Sequence, residues 1–226
     1  YQERWYFQKV DKEWDPVAKQ VIDSDTTWGF YRLYNYSMSV SASTKVYGTY
    51  QFKKGAAIQA IRHMITPLVS FSYTPDFGKN GYGYYKQVQS DTMGRMMTYS
   101  PFANGLYGVP GSGPSMSLNF SVSQTLEMKV RDKKDTTGVR KIKLIDNLMI
   151  SSSYNFLADS LNLSPFSLSL RTNLFKNVGL NVTATLDPYQ VDPVTGRRIN
   201  RFMLRQGKLG RLTSVQTLSL IHISEP

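Results

Sequence analysis

The chain has no cysteine among its 226 residues. That excludes disulfides, thiolate metal sites and a cysteine nucleophile. No run approaches the roughly 18 apolar residues that a membrane-spanning helix needs. Mean hydropathy is −0.34 and hydrophobic residues make up 41%. No segment longer than a few residues follows the 3.6-residue period of a helix. GxSxG, HExxH, Walker and GxGxxG motifs are all missing. Gly81-Tyr82-Gly83 lacks the third glycine and the strand–helix setting of a dinucleotide fingerprint. His63 stands alone, with no nucleophile or base in view, and reads as structural or interfacial. Asp23 with Asp25, and Asp132 with Asp135, read as solvated loop acids rather than cation ligands. No catalytic, cofactor-binding or metal-ligating residue is expected, and the chain is not read as an enzyme.

What the chain does have is alternation. From Met116 to Val130, Met116, Leu118, Phe120, Val122, Leu126, Met128 and Val130 share one parity, with Gln124 the exception. Ser117, Asn119, Ser121, Ser123, Thr125, Glu127 and Lys129 take the other. A strand turns its side chains over at every residue, so this predicts one apolar and one wet face. Fifteen residues is long for a soluble strand, where five or six is usual. It exceeds the roughly 9–11 tilted residues needed to cross a bilayer.

The same phase recurs. It runs from Tyr34 through Met38 and Val40 to Phe52, and again over Val69, Phe71 and Tyr73. It returns in Leu148–Phe156, in Phe166–Leu174 and in Leu180–Leu186. The wet parity is mostly Ser, Thr and Asn rather than the Lys and Glu usual on a soluble surface. Small hydroxyl and amide groups suit a crowded, water-filled lumen. Tyr34, Tyr36, Tyr73, Tyr154 and Phe156 sit near strand ends, where a membrane barrel carries aromatic girdles. The expected fold is all-β: an antiparallel transmembrane β-barrel with long strands, present here as part of a larger barrel. Roughly nine or ten strands are expected.

Charge is 27 basic against 16 acidic residues, a net +11. The cations gather at turns and strand ends: Lys53 and Lys54, Arg131 to Lys143, Arg197 to Arg201, Lys208 and Arg211. Such charges flank membrane strands because they do not sit in lipid. The alternative is attraction to phosphorylated lipid head groups. Nucleic acid is not an expected partner, because a single-strand binder interleaves cations with stacking aromatics along one groove.

Turn chemistry divides the strands. Asp15-Pro16 to Ile22 is the one stretch suited to a helical turn. Gly81–Tyr85 reads as the start of a strand ending near Gln89. Pro101–Pro114, with four glycines and three prolines, is a loop. Arg131–Gly138 is a hairpin tip, Lys176–Gly179 a tight turn and Asp192–Arg197 a hairpin turn. Residues 1–27 are read as a preceding strand and loop, 28–220 as the partial barrel, and 221–226 as a tail resembling translated sequencing adapter. The chain is therefore expected to be a piece of a longer protein.

Ile61-Arg62-His63-Met64-Ile65-Thr66-Pro67-Leu68-Val69-Ser70-Phe71-Ser72-Tyr73-Thr74-Pro75-Asp76-Phe77 resembles a stretch of the LptD-like lipopolysaccharide-assembly barrels, the organic-solvent-tolerance family. Three later strings are similar to the same family. They are Leu144–Leu148 with Ser153–Phe156, then Leu186-Asp187-Pro188-Tyr189, then Gly196-Arg197-Arg198-Ile199-Asn200. The resemblance covers about residues 28–220. The family's periplasmic jelly-roll is not visible, nor are strands enough to close its barrel.

The resemblance implies a translocon in the Gram-negative outer membrane that inserts lipopolysaccharide into the outer leaflet without bond chemistry. It implies lipopolysaccharide and outer-membrane lipids as partners, with a plug lipoprotein and a periplasmic transport bridge. Candidate lumen-facing residues are Ser117, Asn119, Ser121, Ser123, Arg171, Asn173, Thr183 and Thr185. Candidate lipid-facing residues are Leu118, Phe120, Val122, Leu168, Leu170 and Val182. Pro67 and Pro75, flanking a strand, are candidates for weakening a lateral seam, since proline donates no ladder hydrogen bond. The alternatives are another outer-membrane barrel, a nutrient receptor or porin, or a soluble β-sandwich that binds a partner.

Overall fold

The computed structural model describes residues 1–53, 56–131, 139–174 and 178–221. Among them fourteen strands run in chain order. The first seven are β1 (Gln2–Asp15), β2 (Gln20–Asn35), β3 (Met38–Ser43), β4 (Val46–Gln51), β5 (Ile58–Thr74), β6 (Lys86–Gln89) and β7 (Met96–Tyr99). The rest are β8 (Ser115–Arg131), β9 (Val139–Asn155), β10 (Phe166–Leu174), β11 (Val178–Asp187), β12 (Tyr189–Val191), β13 (Arg198–Phe202) and β14 (Arg211–Ile221). The chain divides into two units: Tyr1–Ser39 with Ser72–Met116, and Val40–Phe71 with Ser117–Pro226. The expected hairpin tip beyond Arg131, Asp132 with Asp135, the turn at Lys176 and Asn177, and the tail beyond Ile221 lie outside the described residues.

In the first unit β1 and β2 form a long antiparallel hairpin, with register jogs beside Tyr6 and Asp11. The stretch from Asp15 to Ile22 is not a helical turn but the hairpin's reversal. Asp15 Oδ1 accepts hydrogen bonds from the backbone N–H of Val17 and Ala18, at 2.8 and 3.1 Å, and Lys19 adopts φ 51°. That Asx-type capture closes the turn locally, and β-branched Val21 and Ile22 then extend. The Gly81 region is likewise not strand. Asn80–Tyr82 is a 3-10 turn closed by Gly83 at φ +68°, and only Lys86–Gln89 pairs, with Met96–Tyr99. Tyr6, Leu33, Phe77, Tyr84 and Phe102 form the buried core of this unit. Tyr34 and Tyr36, expected in an outward girdle, instead pack edge-on against Tyr84 and Phe77. The opposite hairpin face leaves Trp5, Phe7, Trp28 and Phe30 exposed, and the sequence reading did not single them out.

The second unit is built on one eight-stranded sheet in the order β14-β11-β10-β9-β8-β5-β3, with β4 also paired to β5. Among the described residues its edges are β14 and the β3–β4 pair. The run from Tyr34 to Phe52 is therefore three strands rather than one: the end of β2, then β3 and β4. Pro67 lies inside β5 and does not flank it, whereas Pro75 follows its last residue. The Pro67 carbonyl accepts from the Thr44 N–H at 3.3 Å, in the gap between β3 and β4. In a strand, N–H and C=O of one residue point to the same neighbour. The N–H that proline lacks would thus face this gap, which accounts for the interruption. β12 and β13 form a hairpin over the expected Asp192–Arg197 turn, with Gly196 at φ +67°. Tyr189 is the one buried hydrophobic residue among those described in this unit.

Candidate functional site

Directly paired residues share a sheet face, so the registers assign every candidate side chain. Val122, Ile150, Leu168, Ala184 and Val215 form one unbroken row across β8, β9, β10, β11 and β14. Phe120, Leu170 and Val182 belong to the rows beside it, and Leu118 pairs Tyr154 one step further. All six candidate lipid-facing residues therefore lie on one face. None of this face's central apolar residues is buried, and Val46, Tyr50, Leu212 and Val215 stand exposed at its edges.

The opposite face carries an equally continuous row of hydroxyls. Ser121, Ser151, Ser167, Thr185 and Ser214 pair one to the next across the same five strands. The next row reads Ser123, Met149, Ser169, Thr183 and Gln216. Arg171 stands between Asn147 and Asn181, and Asn173 lies opposite Gly179. Ser117 and Asn119 continue this face opposite Asn155 and Ser153. The eight candidate lumen residues thus share it. Short bonds order it: Ser123 Oγ donates to Asn147 Oδ1 at 2.6 Å, and Asn173 Nδ2 to Asp146 Oδ2 at 2.7 Å. A cleft of about 370 Å³ opens among Asn119, Ser121, Ser151, Ser153, Ser167 and Leu68.

Several polar residues that fall on the apolar face are bonded within the protein, while Thr217 and Ser219 of β14 stand exposed at its edge. Gln124, the exception in the β8 pattern, holds His63 through an Oε1···Nε2 contact of 3.1 Å. Ser152, paired with Phe120, donates to the Ser164 carbonyl at 2.7 Å. Thr172 is buried and donates to the Leu144 carbonyl at 2.8 Å. Such internal bonds spare these groups the cost of an unmet donor or acceptor where water does not reach. The sequence alone marked Gln124 and His63 but gave no reason to join them.

A second constellation escaped the sequence reading. Asp187 is buried, and its Oδ2 lies 3.8 Å from both Arg198 and Arg211. Its Oδ1 accepts from the Tyr189 N–H at 3.1 Å. Tyr189 stacks on Phe202 and accepts a bond from the Leu163 N–H. The strings around Asp187 and Arg198, separate in sequence, meet here and pin the β12–β13 hairpin to the sheet.

Among the described residues no group of acidic, histidine or cysteine side chains is arranged to hold a metal ion. A family model described as LptD protein matches residues 1–189, which includes the β1–β2 hairpin that the string resemblance left out. No curated protein and no solved structure matches the chain.

Proposed function

The chain belongs to the LptD protein family, and from that premise we propose that its sheet is part of an outer-membrane barrel that inserts lipopolysaccharide into the outer leaflet. The observation that carries the reading is the two-faced sheet. One face carries a continuous apolar row, and the polar residues Gln124, Ser152 and Thr172 on that face are internally bonded. The other is a continuous row of hydroxyls.

Lipopolysaccharide is an amphiphile, so moving it poses a solvation problem rather than a chemical one. Each sugar hydroxyl taken into hydrocarbon without a partner costs on the order of a few kcal/mol. The Ser121–Ser214 hydroxyl row and the Asn119, Asn147 and Asn181 amides offer replacement partners on the wet side. The Val122–Val215 row meets acyl chains on the other. For the lipid to pass sideways, some strand pair has to part. Pro67 removes one ladder donor toward β3 and β4, which makes that edge cheaper to open. Pro75 shortens β5 at its other end. A plug lipoprotein and a periplasmic bridge complete the assembly in this reading.

The test is conditional depletion of the full-length protein in its native host, with surface lipopolysaccharide measured by labelling intact cells. Loss of surface lipopolysaccharide, restored by the intact gene, is the expected result. Unchanged surface lipopolysaccharide refutes the reading, and an accompanying loss of solute uptake would redirect it to a porin or receptor.

A further inference from the structure

The polar face changes character toward the β8–β9 hairpin. A cleft of about 340 Å³ is lined there by Tyr47, Thr49, Arg62, Glu127, Lys129 and Lys141. It adjoins another of about 500 Å³, to which Gln51, Lys53, Gln59 and Arg131 contribute. Thr49, Ala60 and Lys129 line both. Five cations therefore meet one carboxylate, Glu127.

Their arrangement is electrostatically incomplete. Lys129 and Lys141 lie directly opposite each other in the β8–β9 ladder. Like charges so placed repel. Arg62 pairs Thr49 across β4 and β5, and its guanidinium lies 4.9 Å over the Tyr47 ring. That stacking restrains the fork while leaving its N–H donors free for an oxyanion. Elsewhere Lys9, Lys12, Arg32, Lys86, Arg198 and Arg211 each have a carboxylate partner, while cations without one among the described residues, such as Lys45, Arg171 and Lys208, stand outside both clefts. Among the described residues Lys53, Arg62, Lys129, Arg131 and Lys141 have no carboxylate partner.

Position distinguishes this cluster from cations that merely edge a membrane strand. Lys129 and Arg131 keep the parity of Ser117, Ser121 and Ser123, so they belong to the hydroxyl face. Val122 and Lys129 are seven residues apart, about 23 Å along a strand. With a tilt of about 40°, that is about 18 Å along the membrane normal, beyond the half-thickness of a roughly 30 Å hydrocarbon layer when Val122 lies at its centre. The clefts then open to water at the rim. Thr49, Gln51 and Gln59 add neutral donors and acceptors beside the charges, a mixture suited to sugar hydroxyls next to phosphate.

We propose that these adjoining clefts bind the phosphorylated sugar portion of a lipid, with Arg62, Lys129 and Lys141 holding phosphate and Thr49, Gln51 and Gln59 the sugar. The inference rests on the transport reading for the identity of that lipid. It does not rest on that reading for the anion chemistry.

The experiment compares the full chain, folded in detergent micelles, with the triple variant Arg62→Gln, Lys129→Gln, Lys141→Gln and with Lys208→Gln as a charge control. Binding is measured to lipopolysaccharide, to the same material dephosphorylated, and to micelles doped with phosphatidylglycerol. The unaltered chain should prefer the phosphorylated form by roughly tenfold or more, and the triple variant should lose that preference, as removal of charge-assisted bonds requires. Lys208→Gln should keep it. A matching far-ultraviolet β signal establishes that the triple variant is folded. If it is not, Lys129→Gln alone carries the test by the same comparison. Equal binding of both forms by the unaltered chain overturns the proposal, as does a preference retained in the folded variant. Phosphatidylglycerol bound as tightly as lipopolysaccharide overturns the sugar half. A phosphate preference without any loss of surface lipopolysaccharide on depletion removes the transport reading and leaves the anion site. The converse removes only the site.

Discussion

Replacing Val122 with arginine is expected to lower the stability of the lipid-embedded protein by about 2–4 kcal/mol, the cost of a cation on a barrel's lipid face near the bilayer midplane. The structure sets the comparison. Val122 sits at the head of the row through Ile150, Leu168, Ala184 and Val215, with no charged residue in it. The nearest polar groups on that face are Gln124 and His63, two residues along the strand, or about 7 Å. A long arginine reaches toward them, which draws the value to the lower end of the range. Ser121→Arg places the same charge one residue away on the hydroxyl face, where about 0.5 kcal/mol or less is expected of a water-facing change. Val130→Arg keeps the apolar parity but moves eight residues toward the hairpin, where the cost falls to about 0–1 kcal/mol. The assay is equilibrium unfolding in guanidinium from lipid vesicles, followed by tryptophan fluorescence. Equal losses from Ser121→Arg and Val122→Arg would refute a water-filled side. Equal losses from Val122→Arg and Val130→Arg would mean that protein rather than bilayer covers the face.

Three further outcomes follow from the same geometry. Gln124→Leu and His63→Leu should each destabilise the embedded protein, while the double variant recovers about 0.6–1.7 kcal/mol of the summed loss, the range for side-chain hydrogen bonds in membranes; strict additivity in the cycle would show that the pair is not coupled. Asp76 lies outside the eight-stranded sheet and accepts backbone bonds from Gly113 and Gly78, which hold its carboxyl below the usual value of 3.8. A depressed carboxyl stabilises above its ordinary value and loses that contribution as pH falls through the folded one. Cleavage in the 105–113 loop should therefore match that of Asp76→Asn in acid and fall well below it near neutrality. A ratio independent of pH contradicts this. Pro67→Ala restores a donor facing the gap at Thr44, so the edge should tighten by about 0.5–1.5 kcal/mol and surface delivery of lipopolysaccharide should slow. Unchanged delivery with a tightened edge would clear Pro67 of any part in opening.

Faces were legible because parity is a local property. Each candidate's side follows from the alternation within its own strand, β8, β10 or β11, and the registers put the two candidate groups on opposite faces of the sheet. The departures have local causes that alternation does not carry. Asp15 captures two backbone N–H groups and makes a hairpin turn where spacing suggested a helix. Tyr34 and Tyr36 suited a girdle by type, and Tyr84 and Phe77, from a loop distant in sequence, meet their rings edge-on. Pro67 reads as a strand boundary by composition, but β5 runs through it because its missing N–H faces a gap in the neighbouring strand.

The period-two pattern and the residue types already marked the chain as strand-rich, with one apolar and one polar parity in each of its long alternating segments. Neither needs a partner to be read. Tertiary structure alone decided which strands are neighbours and in what register. Only that placed Gln124 against His63, Asp187 between Arg198 and Arg211, and Lys129 opposite Lys141. Bulges in β9 and β14 shift the pairings of Lys129 with Lys141 and of Asp187 with Arg211 by single residues, and a shift of one residue exchanges the faces. Pairing over long sequence separations depends on which edges meet, and no stretch of the chain encodes that alone.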